Sequence, residues 1–351
     1  VGSEMCIRDR WKTMCFNATI MVIISKSHHN YYGCYNAMEG IGMSAYIFVH
    51  FTGEERPDGE QIYFSVSRDG LHWNDLNRGE PVLTSQLGEK GVRDPFIVRH
   101  PATGRFYLIA TDLCMYTRKD WGKAVHEGSR DIIIWESDDL VNWSKERSVT
   151  IGIRNAGCVW APEAVYDHKR DEFMVFFASF TRADGNKPEC GNDEPGDKHI
   201  IYRSFTKDFK DFTPAERYIE REQSIIDTTI IQDGEIYYRF SKDEVSKKLI
   251  LEAAGSLEEE AFTRIESETL DGLYGLEGPE CYALPDGHYC LIADRFAQHK
   301  GYMPIIIDDM EHGVMHVIDD DGYDMGTTRK RHGGVMEITD SEYDRLLKHF
   351  S

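Results

Sequence analysis

The sequence predicts an all-β protein: a five-bladed β-propeller closed by strands from both chain ends, followed by a short C-terminal helix. Three observations carry that expectation. From Tyr46 onward the chain is a succession of short apolar runs rich in Ile, Val, Tyr and Phe, each near Gly, Asp, Asn or Pro. A turn sequence recurs: SRDGLHW (67–73) is echoed by SDDLVNW (137–143) and, more faintly, by SFTKDFKDF (204–212). The recurrence is regular, with Trp73 and Trp143 separated by 70 residues and Trp143 and Phe212 by 69. A repeat of that length holds about four strands, which suits a propeller blade better than a sandwich or a solenoid.

The strands follow in order: YIFVHF (46–51), QIYFSVS (61–67), FYLIATD (106–112), DIIIWES (131–137), FMVFFAS (173–179), HIIYRSF (199–205), EIYYRFS (235–241) and HYCLIAD (288–294). Helical spacing is almost absent before Ser341–Phe350, where Tyr343, Leu346, Leu347 and Phe350 fall at i, i+3, i+4 and i+7. Four blades are expected to begin near Asp94, Trp160, Asp227 and Glu277. The fifth would combine the N-terminal strands (46–67) with the last segment (303–338), hiding the free sheet edges. Asp69 and Asp139 are expected to cap turns through side-chain-to-backbone bonds, with Trp73 and Trp143 packing.

Composition limits the functional classes. Of 351 residues, 41% are hydrophobic and 29% charged, which suits a folded globular protein. The formal charge of −21 repels phosphate backbones and anionic lipid, so no nucleic acid and no membrane surface is expected as partner; a neutral sugar is not excluded. No run of 18 apolar residues occurs. Eight cysteines without a CxxC pair point to reduced thiols, and the lack of a readable signal peptide to a cytoplasmic protein. Residues 1–42 lack periodicity, and the opening VGSEMCIRDR reads as translated adapter sequence. They are expected to be an unstructured or artefactual extension, with residues 43–351 forming a single domain.

Three carboxylates stand at blade starts: Asp94 in GVRDPFIVR, Asp227 in SIIDTTIIQDG and Glu277 in GLEGPECY. Innermost strands line the axis of a propeller, so acids at equivalent points of three repeats converge there. With WAPEAVYD at 160–167, these motifs resemble glycoside hydrolase family 43, five-bladed propellers that include arabinofuranosidases, endo-arabinanases and β-xylosidases. The likeness runs over roughly residues 46–340. Two departures are Thr228, where the family usually has Pro, and the position of the first acid, farther from the N-terminus than in most members. The resemblance implies an inverting hydrolase of arabinose- or xylose-containing glycans, in which Asp94 activates water, Glu277 protonates the leaving oxygen and Asp227 keeps Glu277 protonated. Inversion needs a neutral and an ionised carboxyl about 6.5–9.5 Å apart, and a like charge nearby raises the acid's pKa. Glu280 is a rival acid, but strand alternation should turn it away from Glu277.

Trp160 and Phe96 are candidates to flank a sugar, with Trp121 as a further wall. Glu163 would bond hydroxyls, Arg295 would reach substrate or Glu277, and His332 in RHGGV would lie on the axis. No cofactor is required by this chemistry. A structural calcium at His332, which the resemblance allows, lacks an Asp-rich loop. The oligomeric state is not legible. The rival functions are a retaining β-fructosidase-like propeller, whose N-D-P-N nucleophile motif is absent, and a sugar-binding propeller without catalysis, which would have no use for three acids. A sialidase would need six blades and an arginine triad.

Overall fold

The computed structural model describes residues 43–351, so the extension expected over 1–42 lies outside the described residues. The chain enters through β1 (Met43–Phe51), β2 (Tyr63–Ser67) and β3 (Trp73–Asp75). The first full blade is β4 (Val92–Arg99), β5 (Phe106–Asp112), β6 (Asp131–Ser137) and β7 (Arg147–Thr150). Between β5 and β6 lie two short helices, α1 (Met115–Arg118) and α2 (Trp121–His126), which the sequence did not announce. The second blade is β8 (Trp160–Asp167), β9 (Glu172–Thr181), β10 (Lys198–Thr206) and β11 (Glu216–Ile219). The third is β12 (Ile225–Asp233), β13 (Ile236–Asp243), β14 (Lys248–Ala254) and β15 (Thr263–Ile265). After α3 (Glu268–Gly272), the fourth comprises β16 (Glu277–Ala283), β17 (Tyr289–Asp294), β18 (Tyr302–Asp309) and β19 (Val314–Val317). Finally β20 (Arg331–Thr339) pairs antiparallel with β1, giving a fifth sheet ordered β20-β1-β2-β3, and α4 (Asp340–Phe350) follows.

The five innermost strands touch one another in a closed ring, β4–β8–β12–β16–β20 and back to β4. This is the five-bladed propeller expected. One assignment needs correction: residues 303–317 belong to the fourth blade as β18 and β19, and the closing blade takes from the C-terminal end only β20. Each of the first four blades thus has its own complete set of four strands.

Alternation along the strands explains why the blades stack. Phe106, Leu108 and Ala110 of β5 face the core shared with the closing blade, while Tyr107 and Ile109 face the core shared with the second blade. On β1, Ala45, Ile47 and Val49 point one way, and Tyr46 and Phe48 the other. A strand buried on both faces reads as a continuous apolar run, and this is why the period-2 signal looks saturated in the sequence. The repeated turns join the third and fourth strands of their blades. Asp69 accepts from the backbone N–H of Leu71 and His72, and Asp139 from those of Val141 and Asn142. Trp73 is buried beneath the first of them.

Candidate active site

The same backbone irregularity opens four innermost strands. Between Arg93 and Phe96, Trp160 and Glu163, Ile226 and Thr228, and Glu277 and Glu280, the register slips by one residue. In each slip one residue takes a left-handed conformation: Asp94 (φ 50°), Ala161 (φ 46°), Asp227 (φ 48°) and Gly278 (φ 54°). The residues that follow are Pro95, Pro162, Thr228 and Pro279. A proline is tolerated at a bulge because no ladder donor is needed there. Thr228, the departure noted in the sequence, keeps the same bulge and uses its hydroxyl on Ser241 Oγ at 2.8 Å. These bulges turn Asp94 and Asp227 toward the axis and place Glu277 beside the fourth.

His332, on β20, is the point where the acids meet. Its Nδ1 lies 3.5 Å from Asp94 Oδ1 and 3.8 Å from Asp227 Oδ1, and its Nε2 lies 3.9 Å from Glu163 Oε1. Burial opposes charge on the ring, yet Asp227, Glu163 and Asp94 together hold its pKa up at about 10, so it is an imidazolium at neutral pH. Asp94 also accepts from Thr111 Oγ1 at 2.9 Å, and Asp227 from the backbone N–H of Gly278 at 3.1 Å. Burial raises the Asp227 carboxyl, with His332 and Lys242 opposing. Asp227 is therefore bonded to the residue next to Glu277.

Glu277 departs from expectation. Burial favours its neutral form, but Lys242 and Arg331 overcome this and lower its pKa to about 2. Lys242 Nζ donates to Oε2 at 3.0 Å and Arg331 Nη2 to Oε1 at 2.8 Å. The sequence argument, in which Asp227 alone keeps Glu277 protonated, missed both cations. Alternation also fails for Glu280. The bulge inserts an extra residue, so Glu280 too faces the channel, accepting from Val335 N at 2.9 Å and Thr229 Oγ1 at 3.2 Å. Burial and Glu163 raise the Glu280 carboxyl well above the usual range, and burial raises Glu163 to about 7. Two carboxyls that take up protons readily thus form the floor, and an ionised one stands at the rim.

Of the proposed sugar-contacting residues, His332 and Glu163 reach the axis. Trp160, half-buried at the start of β8, stacks on His199 with centroids 5.3 Å apart and meets the edge of Trp121, which is 47% exposed. Phe96 lies on β4 two residues beyond Asp94, close to Gly334, and packs partly buried against the core between the first and second blades. Arg295 does not come to the acids: its guanidinium donates to the carbonyls of Gly301 and Tyr302 and braces the turn between β17 and β18. The arginine at Glu277 is Arg331, next to the histidine that RHGGV had singled out. Arg93 is a second arginine the sequence reading passed over. It is buried against Phe51, bonded to Glu60 at 2.9 Å, and Glu60 in turn accepts from the N–H groups of Met115 and Tyr116.

The groups around His332 are the carboxylates of Asp94, Asp227 and Glu163 at 3.5, 3.8 and 3.9 Å, which face its ring nitrogens and do not make the cage of roughly six to eight oxygens that calcium takes. Among the described residues, no group of three or more His, Cys, Asp or Glu is arranged to hold a metal ion.

A family profile described as a probable glycosyl hydrolase domain, related to glycoside hydrolase family 43, matches residues 42–344. The chain belongs to this GH43-related glycoside hydrolase family. An α-L-arabinofuranosidase of Bifidobacterium longum subsp. longum is 32% identical over 211 residues, covering 57% of this chain and 20% of that protein. The chain therefore spans about a fifth of the length of that curated relative. Among solved structures, an endo-1,4-β-xylanase from Bacteroides thetaiotaomicron VPI-5482 superposes with TM-score 0.53 at 14% identity, covering 84% of this chain and 95% of that one. A GH43 β-1,3-galactosidase solved with galactodeoxynojirimycin gives 0.54 at 13% identity, covering 81% and 94%. At such identities these two establish the GH43 propeller fold and nothing finer.

Proposed function

We propose that this GH43-related domain hydrolyses arabinose-, xylose- or galactose-containing glycans with inversion of configuration, Asp94 activating water and Glu277 protonating the leaving oxygen. The observation that carries the reading is the convergence of Asp94 and Asp227 on one histidine nitrogen, with Asp227 bonded to the Gly278 N–H beside Glu277. Inverting hydrolysis divides its labour between a base that is ionised and an acid that is neutral on the two sides of the scissile bond. Asp227 is the tuning and orienting group. The cations at Glu277 must loosen for the acid to take up its proton, and a sugar at the rim is the event that displaces them. Arabinose is favoured among the sugars by the arabinofuranosidase relative.

Proton NMR of the first product anomer tests inversion, with retention in the early minutes overturning the role of Asp94. Glu277→Gln tests the acid. Aryl glycosides with poor leaving groups should lose roughly 10²–10⁴-fold in kcat/KM, while those with good leaving groups lose far less. If the leaving-group dependence appears instead in Glu163→Gln or Glu280→Gln, and Glu277→Gln shows none, the acid belongs to the channel floor.

A further inference from the structure

Each cation on Glu277 also holds a second carboxylate. Lys242 Nζ lies 2.8 Å from Glu244 Oε2 as well as 3.0 Å from Glu277 Oε2. Arg331 bonds Glu277 through Nη2 and Asp294 through Nε, while its Nη1 is 3.7 Å from Glu54. Asp294 is directly opposite Glu277 in the β16–β17 ladder and is 0% exposed. Its Oδ2 accepts from Arg331, but its Oδ1 is buried with no hydrogen-bond partner. An unmet buried acceptor costs about 1–3 kcal/mol or more, so this oxygen calls for an explanation. A planar guanidinium can bond both oxygens of one carboxylate side by side. The unpartnered Oδ1 is the place where the second arm of Arg331 would land.

We infer that Arg331 is shared between Glu277 and Asp294, and that Asp294 is the positioning residue that takes it over when Glu277 is to carry a proton. The inference rests on the acid role proposed for Glu277. In the described arrangement Arg331 bridges the two carboxylates and Glu277 is ionised. When a sugar enters, Arg331 turns onto both oxygens of Asp294 and Lys242 remains with Glu244, so neither cation is left unpaired. Glu277 then takes a proton from solvent, which it passes to the leaving oxygen as the glycosidic bond breaks. The groups facing Glu277 are Lys242 from β13, Arg331 from β20, Arg93 from β4, Asp227 from β12 and Asp294 from β17. Those facing Asp294 are Arg331 and His332 from β20, Glu277 from β16 and Tyr302 from β18.

Asp294→Asn is the test, because an amide keeps the shape and cannot take a guanidinium as an ion pair. Arg331 then stays on Glu277, which also loses the negative charge opposite it, so Glu277 is harder to protonate. Substrates with poor leaving groups should lose roughly 10- to 100-fold in kcat, within the range that general acid catalysis supplies, while good leaving groups lose little and KM is unchanged. The alkaline limb of the pH–rate profile should move to lower pH, since the acid deprotonates earlier. Equal loss on both leaving-group classes, or an unmoved alkaline limb, overturns the inference. Arg331→Lys keeps the charge but removes the fork, and should show the same leaving-group dependence. Loss of the folded state in both variants makes the pair structural and overturns the inference as well. Glu277→Gln measured alongside separates the two readings: no leaving-group dependence there removes the acid role itself, whereas its presence with an unmoved Asp294→Asn profile removes only the role of Asp294.

Discussion

His332 shows how one residue ties the stability of this molecule to the ionisation of its acids. Its ring is buried among Asp94, Asp227 and Glu163, and its pKa is about 10 against 6.5 in an unfolded chain. A group raised in this way contributes stability that is complete below about pH 6.5 and is lost as pH rises toward 10. Glu163, raised by burial to about 7, weakens the fold in an earlier window, as pH rises from the ordinary glutamate value of 4.5 to 7. His332→Asn should therefore lower Tm at neutral pH by on the order of several degrees and flatten the decline between pH 6.5 and 10. Because His332 also holds the Glu163 carboxyl down, the variant should deepen the loss that begins in the lower window. Thermal melts from pH 5 to 10 check this; a variant whose curve stays parallel to that of the wild type would show that the imidazolium does not couple to the carboxylates. The three acids and His332 were legible in the sequence because each stands in a short motif at a repeat boundary. Lys242, Arg331 and Asp294 were not, because their pairing joins separate strands through side chains 35 to 54 residues apart in sequence. No local pattern records such a pairing.

At the scale of the element, the bulge is the device that turns a packed strand into a wall of the site. A left-handed residue other than glycine costs roughly 1–2 kcal/mol, and Asp94, Ala161 and Asp227 all adopt it. The fourth position is Gly278, for a reason beyond its φ of 54°: a Cβ there would lie 2.6 Å from His332 Cγ and 2.8 Å from Cδ2. Gly278→Ala should thus push the imidazolium away from Asp94 and Asp227 while adding backbone strain. We expect a stability loss of roughly 1–3 kcal/mol by urea denaturation. We also expect a fall in kcat of at least roughly tenfold, a barrier change of about 1.4 kcal/mol. Full activity with lowered stability would mean that the position of the ring does not matter to the chemistry. The dipeptides Asp-Pro, Ala-Pro and Gly-Pro stood in the sequence at these points, yet their common backbone conformation was not readable, because Asp, Ala and Gly have little in common except where they sit in the ladder. Strand existence was readable for the inner strands, from β-branched and aromatic runs, whereas β14 and the short outer strands β7, β11 and β15 were passed over. Blade membership failed only for residues 303–317, whose apolar run IIID looks the same in an outer strand of the fourth blade as it would in the closing one.

For the whole molecule, ring closure brings the last strand to the centre. β20 carries Arg331 and His332 into the site, so the final segment of the propeller supplies two of its four axial or rim cations, with Lys242 and Arg93 from other blades. The segment is secured at its far end by α4, whose Thr339–Glu342 capping box fixes the turn out of β20. From there Tyr343 and Leu346 enter the core between the closing and first blades, and Glu342 pairs with Arg99 at 2.7 Å. Leu346 is fully buried in this core, 14 residues beyond His332 and outside the site. Leu346→Ala removes its side chain without touching the acids, and should cost about 2–5 kcal/mol through lost burial and the cavity left behind. Because the innermost strand remains hydrogen-bonded to β1 over most of its length, the folded fraction should keep its geometry at Arg331 and His332. Urea midpoints should fall while kcat/KM at 25 °C, corrected for folded protein, stays within about twofold of the wild type, a barrier change below about 0.5 kcal/mol. A parallel loss of kcat/KM would mean that closure by α4 sets the position of β20 at the site, and that the fifth blade transmits packing at its outer end to the acids on the axis.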